Sequence, residues 1–132
     1  MSSTEPLSYE LLTIKTKVHR LTALVEVSGE LDIATRPLLG DVLDRLEPEL
    51  EPDPVRHIVL DLRRLDFMDL QGVHELIRQA GVAQANQRNF AVVRGRGSVQ
   101  RLLVMTAAED LLVLVDDPDD LAPPSAERDL SL

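Results

Sequence analysis

The sequence predicts an α/β fold: a single domain with a mixed, mostly parallel sheet, an N-terminal hairpin, and helices packed on the sheet. Two β-rich segments follow each other near the N-terminus, and three segments of helical periodicity then alternate with short apolar runs. One of these runs, residues 57–62, is almost continuously apolar and β-branched, as in a strand covered on both faces. The order β-β-α-β-α-β-α-β requires crossover connections between parallel strands after the hairpin.

The hairpin is predicted from two neighbouring segments. Residues 8–17 partly alternate between polar and apolar side chains and favour an edge strand, and residues 18–20 make a tight connection. Residues 21–27 are more continuously apolar, which places the second strand nearer the middle of the sheet. Ser28 and Gly29 mark its end.

The first helix follows the hairpin. Thr35 stands at the position of an N-cap, and Pro37 is tolerated in a first turn. Its apolar residues share one helical face: Leu38, Leu39, Val42, Leu43 and Leu46. Residues 47–54 hold three prolines and four acidic residues and predict a solvated loop.

The middle of the chain reads as strand, turn and helix. The run 57–62 passes into a polar turn that contains Asp66, and Asp69 is the predicted N-cap of the next helix. This helix has an apolar stripe and is expected to stop at Gly81. The stripe consists of Val73, Leu76, Ile77 and Ala80.

The last third predicts strands at residues 89–93 and 111–115. Ser98 is the predicted N-cap of the helix between them, which turns Val99, Leu102, Leu103 and Ala107 inward. We therefore expect a domain over residues 8–116, with flexible tails at residues 1–7 and 117–132.

Composition limits the possible functions. The chain has 132 residues, enough for one domain, and its formal charge of −9 with 2% aromatic residues disfavours nucleic acid and anionic membrane surfaces as partners. Residues 56–101 nevertheless carry eight arginines against four acidic residues. This face either meets an acidic protein or is an ordinary solvated surface.

The sequence predicts no metal, no cofactor and no membrane span. It contains no cysteine, and its three histidines are dispersed. No apolar run approaches the length of roughly 20 residues that crosses a bilayer. We expect a soluble cytoplasmic protein.

No catalytic constellation is apparent. Asp61, Asp66 and Asp69 are explained by strand, turn and capping positions, and His74 lies off the apolar stripe of its helix. The segment 95–98 has glycines but lacks the lysine and the spacing of a phosphate loop. We expect that the protein is not an enzyme.

Three segments resemble the STAS domain family, in particular bacterial anti-sigma-factor antagonists. They are Gly29-Glu30-Leu31-Asp32-Ile33-Ala34-Thr35, then Val59-Leu60-Asp61-Leu62 with Phe67-Met68-Asp69-Leu70-Gln71-Gly72, and Arg101-Leu102-Leu103-Val104-Met105-Thr106. The resemblance implies transcription regulation by partner switching, in which the domain binds an anti-sigma factor of the kinase type and frees a sigma factor. It also implies a partner-binding switch loop drawn from Asp32, Asp66, Asp69, Leu70, Gln71, Gly72 and His74.

The sequence departs from the family at the switch loop. In the family this loop usually reads Asp-Ser-Ser-Gly or Asp-Ser-Thr-Gly, and the partner kinase phosphorylates the hydroxyl residue before the glycine, which abolishes binding. Here those positions hold Leu70 and Gln71, so the usual phospho-acceptor is absent. Ser28, Thr35 and Ser98 are better explained by turns and caps than as substitute acceptors.

A second interpretation stays open. STAS domains also serve as adaptor or scaffold subunits of transport systems and of larger signalling assemblies. The sequence leaves the partner unnamed and leaves a homodimer open.

Overall fold

The computed structural model describes residues 7–9, 11–46 and 55–120, which form a six-stranded sheet with its strands in sequence order. The first three strands pair antiparallel with one another. The third, fourth, fifth and sixth strands pair in parallel. The predicted mixed α/β fold is thereby confirmed. The strands are β1 (Leu7–Tyr9), β2 (Leu12–His19), β3 (Thr22–Leu31), β4 (His57–Met68), β5 (Asn89–Val93) and β6 (Val113–Val115).

Three helices cover one face of this sheet. They are α1 (Arg36–Asp44), α2 (Leu70–Ala85) and α3 (Gly97–Met105), and 3₁₀ turns lie at Ala108–Asp110 and Pro118–Asp120. One apolar core joins alternate residues of the strands, such as Val25, Leu60 and Val92, to buried residues of all three helices. The strand residues between them, including Glu26 and Asp61, therefore point to the other face.

The predicted hairpin is present as β2 and β3, but the prediction of one edge strand over residues 8–17 is wrong. This segment is divided into β1 and β2, and β1 takes the edge of the sheet by pairing antiparallel with β2. The turn of the hairpin is shorter than predicted, because β2 extends to His19 and leaves only Arg20, with a positive φ of 57°, and Leu21 between the strands. Strand β3 does not stop at Ser28 and Gly29. Gly29 takes a φ of 100°, and Glu30 N–H donates to Leu11 O at 2.7 Å, so the strand continues to Leu31.

Strand β4 is twice as long as the predicted strand at residues 57–62. The prediction of a polar turn after residue 62 is wrong, because the strand continues to Met68. The register with β3 shifts twice, once between Glu26 and Ser28 and once between Gly29 and Glu30, and each shift adds one residue to β4. Such bulges change which face the following side chains take. They explain why Leu65 and Met68 are both buried while Asp66 and Phe67 between them are exposed.

Three predicted helix boundaries are wrong. Helix α2 passes through Gly81, which is exposed and has open space around it, and ends at Ala85. Ser98 lies inside α3, whose N-cap position is Arg96, and Ala107 is exposed after the helix with a φ of 60°. The neighbouring Ala108 is buried in its place.

The predicted solvated loop at 47–54 lies outside the described residues, as do most of the predicted tails. Leu7, assigned to the N-terminal tail, already belongs to β1, and Pro118–Asp120 form a 3₁₀ turn in the C-terminal tail. None of the described helices is both long and apolar enough to cross a membrane.

Candidate functional site

The candidate site lies where the neighbouring parallel strands β3 and β4 end. Leu31 and Met68 are the last paired residues, and Asp69 N–H donates to Leu31 O at 3.3 Å. The turn at residues 32–35, which follows β3, therefore lies beside the first turn of α2, which follows β4. Parallel strands place their following loops at the same edge of a sheet, which is where such folds carry their sites.

Asp69 caps helix α2, as the sequence predicts. Its Oδ1 accepts hydrogen bonds from the backbone N–H groups of Gln71 at 2.9 Å and Gly72 at 3.2 Å. These bonds satisfy donors that have no partner inside the helix. The first turn of α2 is consequently held in one conformation.

Asp32 organises the turn at residues 32–35 in a similar way. Its Oδ1 accepts from Ala34 N–H at 3.0 Å and Thr35 N–H at 3.1 Å. Thr35 occupies the N-cap position of α1, but its hydroxyl makes no capping bond. The hydroxyl instead donates to Glu30 O at 2.9 Å and accepts from Asp32 N–H at 3.0 Å, and the residue is buried.

Gln71 links the two helices. Its Oε1 accepts a hydrogen bond from the Arg36 guanidinium, and Arg36 Nε is 3.2 Å from Glu75 Oε1. Gln71 thus lies in the first turn of α2 with its side chain bound to the first residue of α1.

Glu75 is the centre of this contact between α1 and α2. Its carboxylate is 3% exposed and receives Arg78 Nη2 at 2.9 Å and Gln79 Nε2 at 2.8 Å in addition to Arg36. Burial by itself raises the pKa of the Glu75 carboxyl, but the surrounding guanidinium and amide donors outweigh it, and its pKa lies below the ordinary value. Glu75 is therefore ionised at neutral pH.

Gly72 allows the start of α2 to pack against the end of β3. A Cβ at this position would lie 2.5 Å from Met68 Cγ and 2.7 Å from Leu31 O. Gly40 has a related role in α1, since a Cβ there would be 3.2 Å from Glu75 Oε2. The two glycines permit the close approach of strand, helix and buried carboxylate.

Apolar side chains stand exposed around the two turns. Ile33 is 66% exposed, Leu70 is 52% exposed and Phe67 is 44% exposed. Exposed apolar side chains beside a rigid, hydrogen-bonded frame are typical of a protein-docking surface.

A family model settles the relationship of the chain. Residues 13–121 match the model of the STAS domain. The chain belongs to the STAS domain family.

Other STAS proteins resemble this domain along most of its length. It is 28% identical over 106 residues to the anti-sigma F factor antagonist of Paenibacillus polymyxa, covering 80% of this chain and 88% of that protein. It is 27% identical over 101 residues to the anti-sigma-B factor antagonist of Staphylococcus aureus, covering 76% and 90%. The crystal structure of an anti-sigma factor antagonist from Mycobacterium paratuberculosis superimposes with a TM-score of 0.67 and 25% identity, covering 86% and 94%.

The STAS fold brings most of the predicted site residues together. Asp32 lies in one turn, and residues 69–72 form the adjoining start of α2. His74 follows in the same helix with an exposed side chain, as predicted. Asp66 is the exception, because it lies within β4 and not in a loop, at the second register shift. Its side chain lines a shallow depression with Arg63, Arg64 and Arg96.

Sequence reasoning missed the polar contact between α1 and α2. Gly72, Glu75 and Gln79 recur at helical spacing beside the apolar stripe of α2, and all three are buried. This second stripe is the signal that a neighbouring helix covers that side, although it does not identify Arg36 as the partner.

The described part of the chain holds no cluster of three histidine, cysteine, aspartate or glutamate side chains of the kind that binds a metal ion. The site is built from turns, a helix cap and a buried ion pair.

Proposed function

We propose that this STAS domain is an anti-sigma-factor antagonist of the bacterial cytoplasm. It would bind an anti-sigma factor of the kinase type and so free a sigma factor by partner switching. The names of the relatives in Paenibacillus, Staphylococcus and Mycobacterium support this role. The observation that carries the specific form of the proposal is Gln71, whose side chain is bound to Arg36 at the start of α2.

The proposed partner surface consists of the turn at residues 32–35 and the start of α2, residues 69–74. Ile33 and Leu70 supply exposed apolar area, while Asp32 and Asp69 hold the two turns in shape. Pre-ordered turns lower the entropic cost of binding, which favours a docking surface here. Asp66 belongs to the periphery of this surface because of its position in β4.

The proposed antagonist is constitutive, since no phosphate is added at position 71. A carboxamide has no hydroxyl to accept phosphate, and it is neutral, so it does not imitate a phosphorylated residue. Thr35 is a poor substitute acceptor, because its hydroxyl is buried and hydrogen-bonded to Glu30 O. Partner binding would then be limited by the amounts of the proteins present.

Mixing experiments with the kinase-type anti-sigma factors encoded in the source genome test this proposal. We expect the natural protein to bind one of them by calorimetry with ATP and Mg²⁺ present, and to gain no phosphate by intact-mass measurement. Gln71→Ser is expected to gain phosphate and dissociate, and Gln71→Ala, which also lacks the carboxamide, is expected to stay bound. Phosphate gained by the natural protein together with its dissociation from the anti-sigma factor contradicts the proposal.

Charge and shape at the surface supply a second test. Gln71→Glu adds a negative charge to the first turn of α2 and should weaken binding by roughly tenfold. Leu70→Asp should do the same, whereas Val104→Asp on α3, at a residue of equal exposure, should not. If the captured partner is a transporter ATPase or another STAS protein, and is indifferent to Gln71→Glu, the adaptor interpretation replaces the antagonist one.

A further inference from the structure

A charged surface, separate from the turns of the candidate site, lies on the face of the sheet opposite the core. It begins beyond Asp61 and Val93, the last residues through which β4 pairs with β5. Arg63 and Arg64 of β4 and Arg96 line a shallow depression there, together with Glu26 and Asp66. Arg94 lies two residues before Arg96. We call the four residues together the arginine face: Arg63, Arg64, Arg94 and Arg96.

Two of the four arginines have no ion-pair partner among the described residues. Arg64 and Arg96 are exposed, and neither makes an ion pair with any residue that the structure describes. Arg63, in contrast, forms an ion pair with the buried Asp61 carboxylate, in which Arg63 Nη2 lies 2.9 Å from Asp61 Oδ2. Guanidinium groups held in place this way suit carboxylates, which they bind through paired N–H donors.

The acidic residues of the depression only partly offset this charge. The Glu26 carboxylate lies 3.8 Å from Lys17 Nζ, which balances part of its charge. Asp66 is exposed and contributes one negative charge near Arg64 and Arg96. Without the carboxylates that follow β6, the surface carries four arginines and Lys17 against Asp61, Glu26 and Asp66, and this positive balance in a protein of formal charge −9 favours an acidic partner.

The chain already places carboxylates on this surface. Directly after β6, Asp116 Oδ1 lies 3.2 Å from Arg94 Nη1, and Asp117 Oδ2 lies 4.0 Å from Arg63 Nη1. Asp116 is 82% exposed and Asp117 is 51% exposed. Exposed ion pairs of this kind are weak, so a longer acidic segment with several carboxylates can displace them.

We propose that the arginine face binds an acidic peptide segment of a protein partner, and that Asp116 and Asp117 compete for it within the same chain. Arg64 and Arg96, which have no ion-pair partner among the described residues, would bind carboxylates of the partner first. Further carboxylates of the partner would then replace Asp116 on Arg94 and Asp117 on Arg63. This surface shares only the peripheral Asp66 with the proposed partner surface and uses none of residues 32–35 or 69–74, so it does not depend on the proposed antagonist function.

An oligoglutamate peptide with a fluorescent label tests the proposal by anisotropy titration of the full chain at low ionic strength. Arg64→Glu with Arg96→Glu should weaken binding by roughly tenfold or more, since two contacts are lost and two charges reversed. Arg56→Glu with Arg101→Glu is the matched control, because these arginines are also exposed, change the net charge equally and do not line the depression. This control should bind nearly as the natural protein does.

Removing the competing charges should have the opposite effect. Asp116→Asn with Asp117→Asn, and separately Asp66→Asn, should tighten peptide binding several-fold. Equal weakening by the two arginine pairs would overturn the proposal, since attraction would then be due to net charge alone. No change in Asp116→Asn with Asp117→Asn would overturn the internal competition. Tighter binding of a single-stranded RNA, lost in the same Arg64 and Arg96 variant, would overturn the choice of an acidic peptide.

Discussion

The Arg36 guanidinium donates a hydrogen bond to Gln71 Oε1, and so the first residue of α1 holds a side chain of the first turn of α2. The same guanidinium lies 3.2 Å from the buried carboxylate of Glu75. The start of α2 is thereby coupled to the packing of α1 on α2. A substitution at position 71 is therefore expected to alter the packing of α1 on α2 as well as the proposed partner surface.

A double-mutant cycle should detect this coupling. Arg36→Ala and Gln71→Ala each remove the same hydrogen bond, so the double variant should be less destabilised than the sum of the single ones by roughly 1 kcal/mol. The measurement is the free energy of unfolding from urea titrations of the four proteins. Additive effects would show that the bond contributes nothing to stability.

Glu75→Gln should destabilise the domain by about 2 kcal/mol at neutral pH, because it removes the carboxylate shared by Arg36 and Arg78. The folded pKa of Glu75 lies below its ordinary value, so its contribution is present in full above the unfolded pKa of about 4.3. It disappears as the pH falls through the lower folded pKa.

The difference in unfolding free energy between the natural protein and Glu75→Gln should therefore be constant between about pH 6 and pH 8 and shrink below about pH 4. Urea titrations over this pH range measure it. A difference that grows on acidification would mean that Glu75 is protonated in the folded protein at neutral pH.

Gly72→Ala should cost about 2 kcal/mol or more, because the new Cβ would overlap Met68 and the backbone oxygen of Leu31. Gly81→Ala in the same helix is the matched control. Its Cβ meets nothing within 4 Å, and alanine favours a helix over glycine by about 1 kcal/mol, so this variant should be more stable than the natural protein. Thermal unfolding followed by circular dichroism should move in opposite directions for the two.

Asp69→Ala should lower the free energy of unfolding by about 1 kcal/mol, since the backbone N–H groups of Gln71 and Gly72 lose their acceptor. Ser98→Ala should change it by less than about 0.5 kcal/mol, because Ser98 is exposed inside α3 and caps nothing. Chemical unfolding of both variants compares an N-cap with a residue that only resembles one in sequence. Equal losses would contradict the assignment of the two helix starts.

The sequence by itself determined the features that depend on local chemistry. Asp69 is an N-cap because a short carboxylate before an amphipathic segment suits that role, and residues 89–93 are a strand because an apolar run between turn signals favours one. Apart from the short strand β1, which the sequence does not predict as a separate strand, the order of the elements and the mixed sheet follow from the alternation of the two periodicities.

Only the tertiary structure decided the features that arise between distant segments. The length of β4 depends on pairing with β3 through two bulges, which no local pattern in residues 63–68 reveals. Helix α2 continues past Gly81 because packing of Ala83 on the core outweighs the weak helix preference of glycine. Arg36 lies 35 residues before Gln71, and the hydrogen bond between them exists only because β3 and β4 end side by side and bring α1 onto α2.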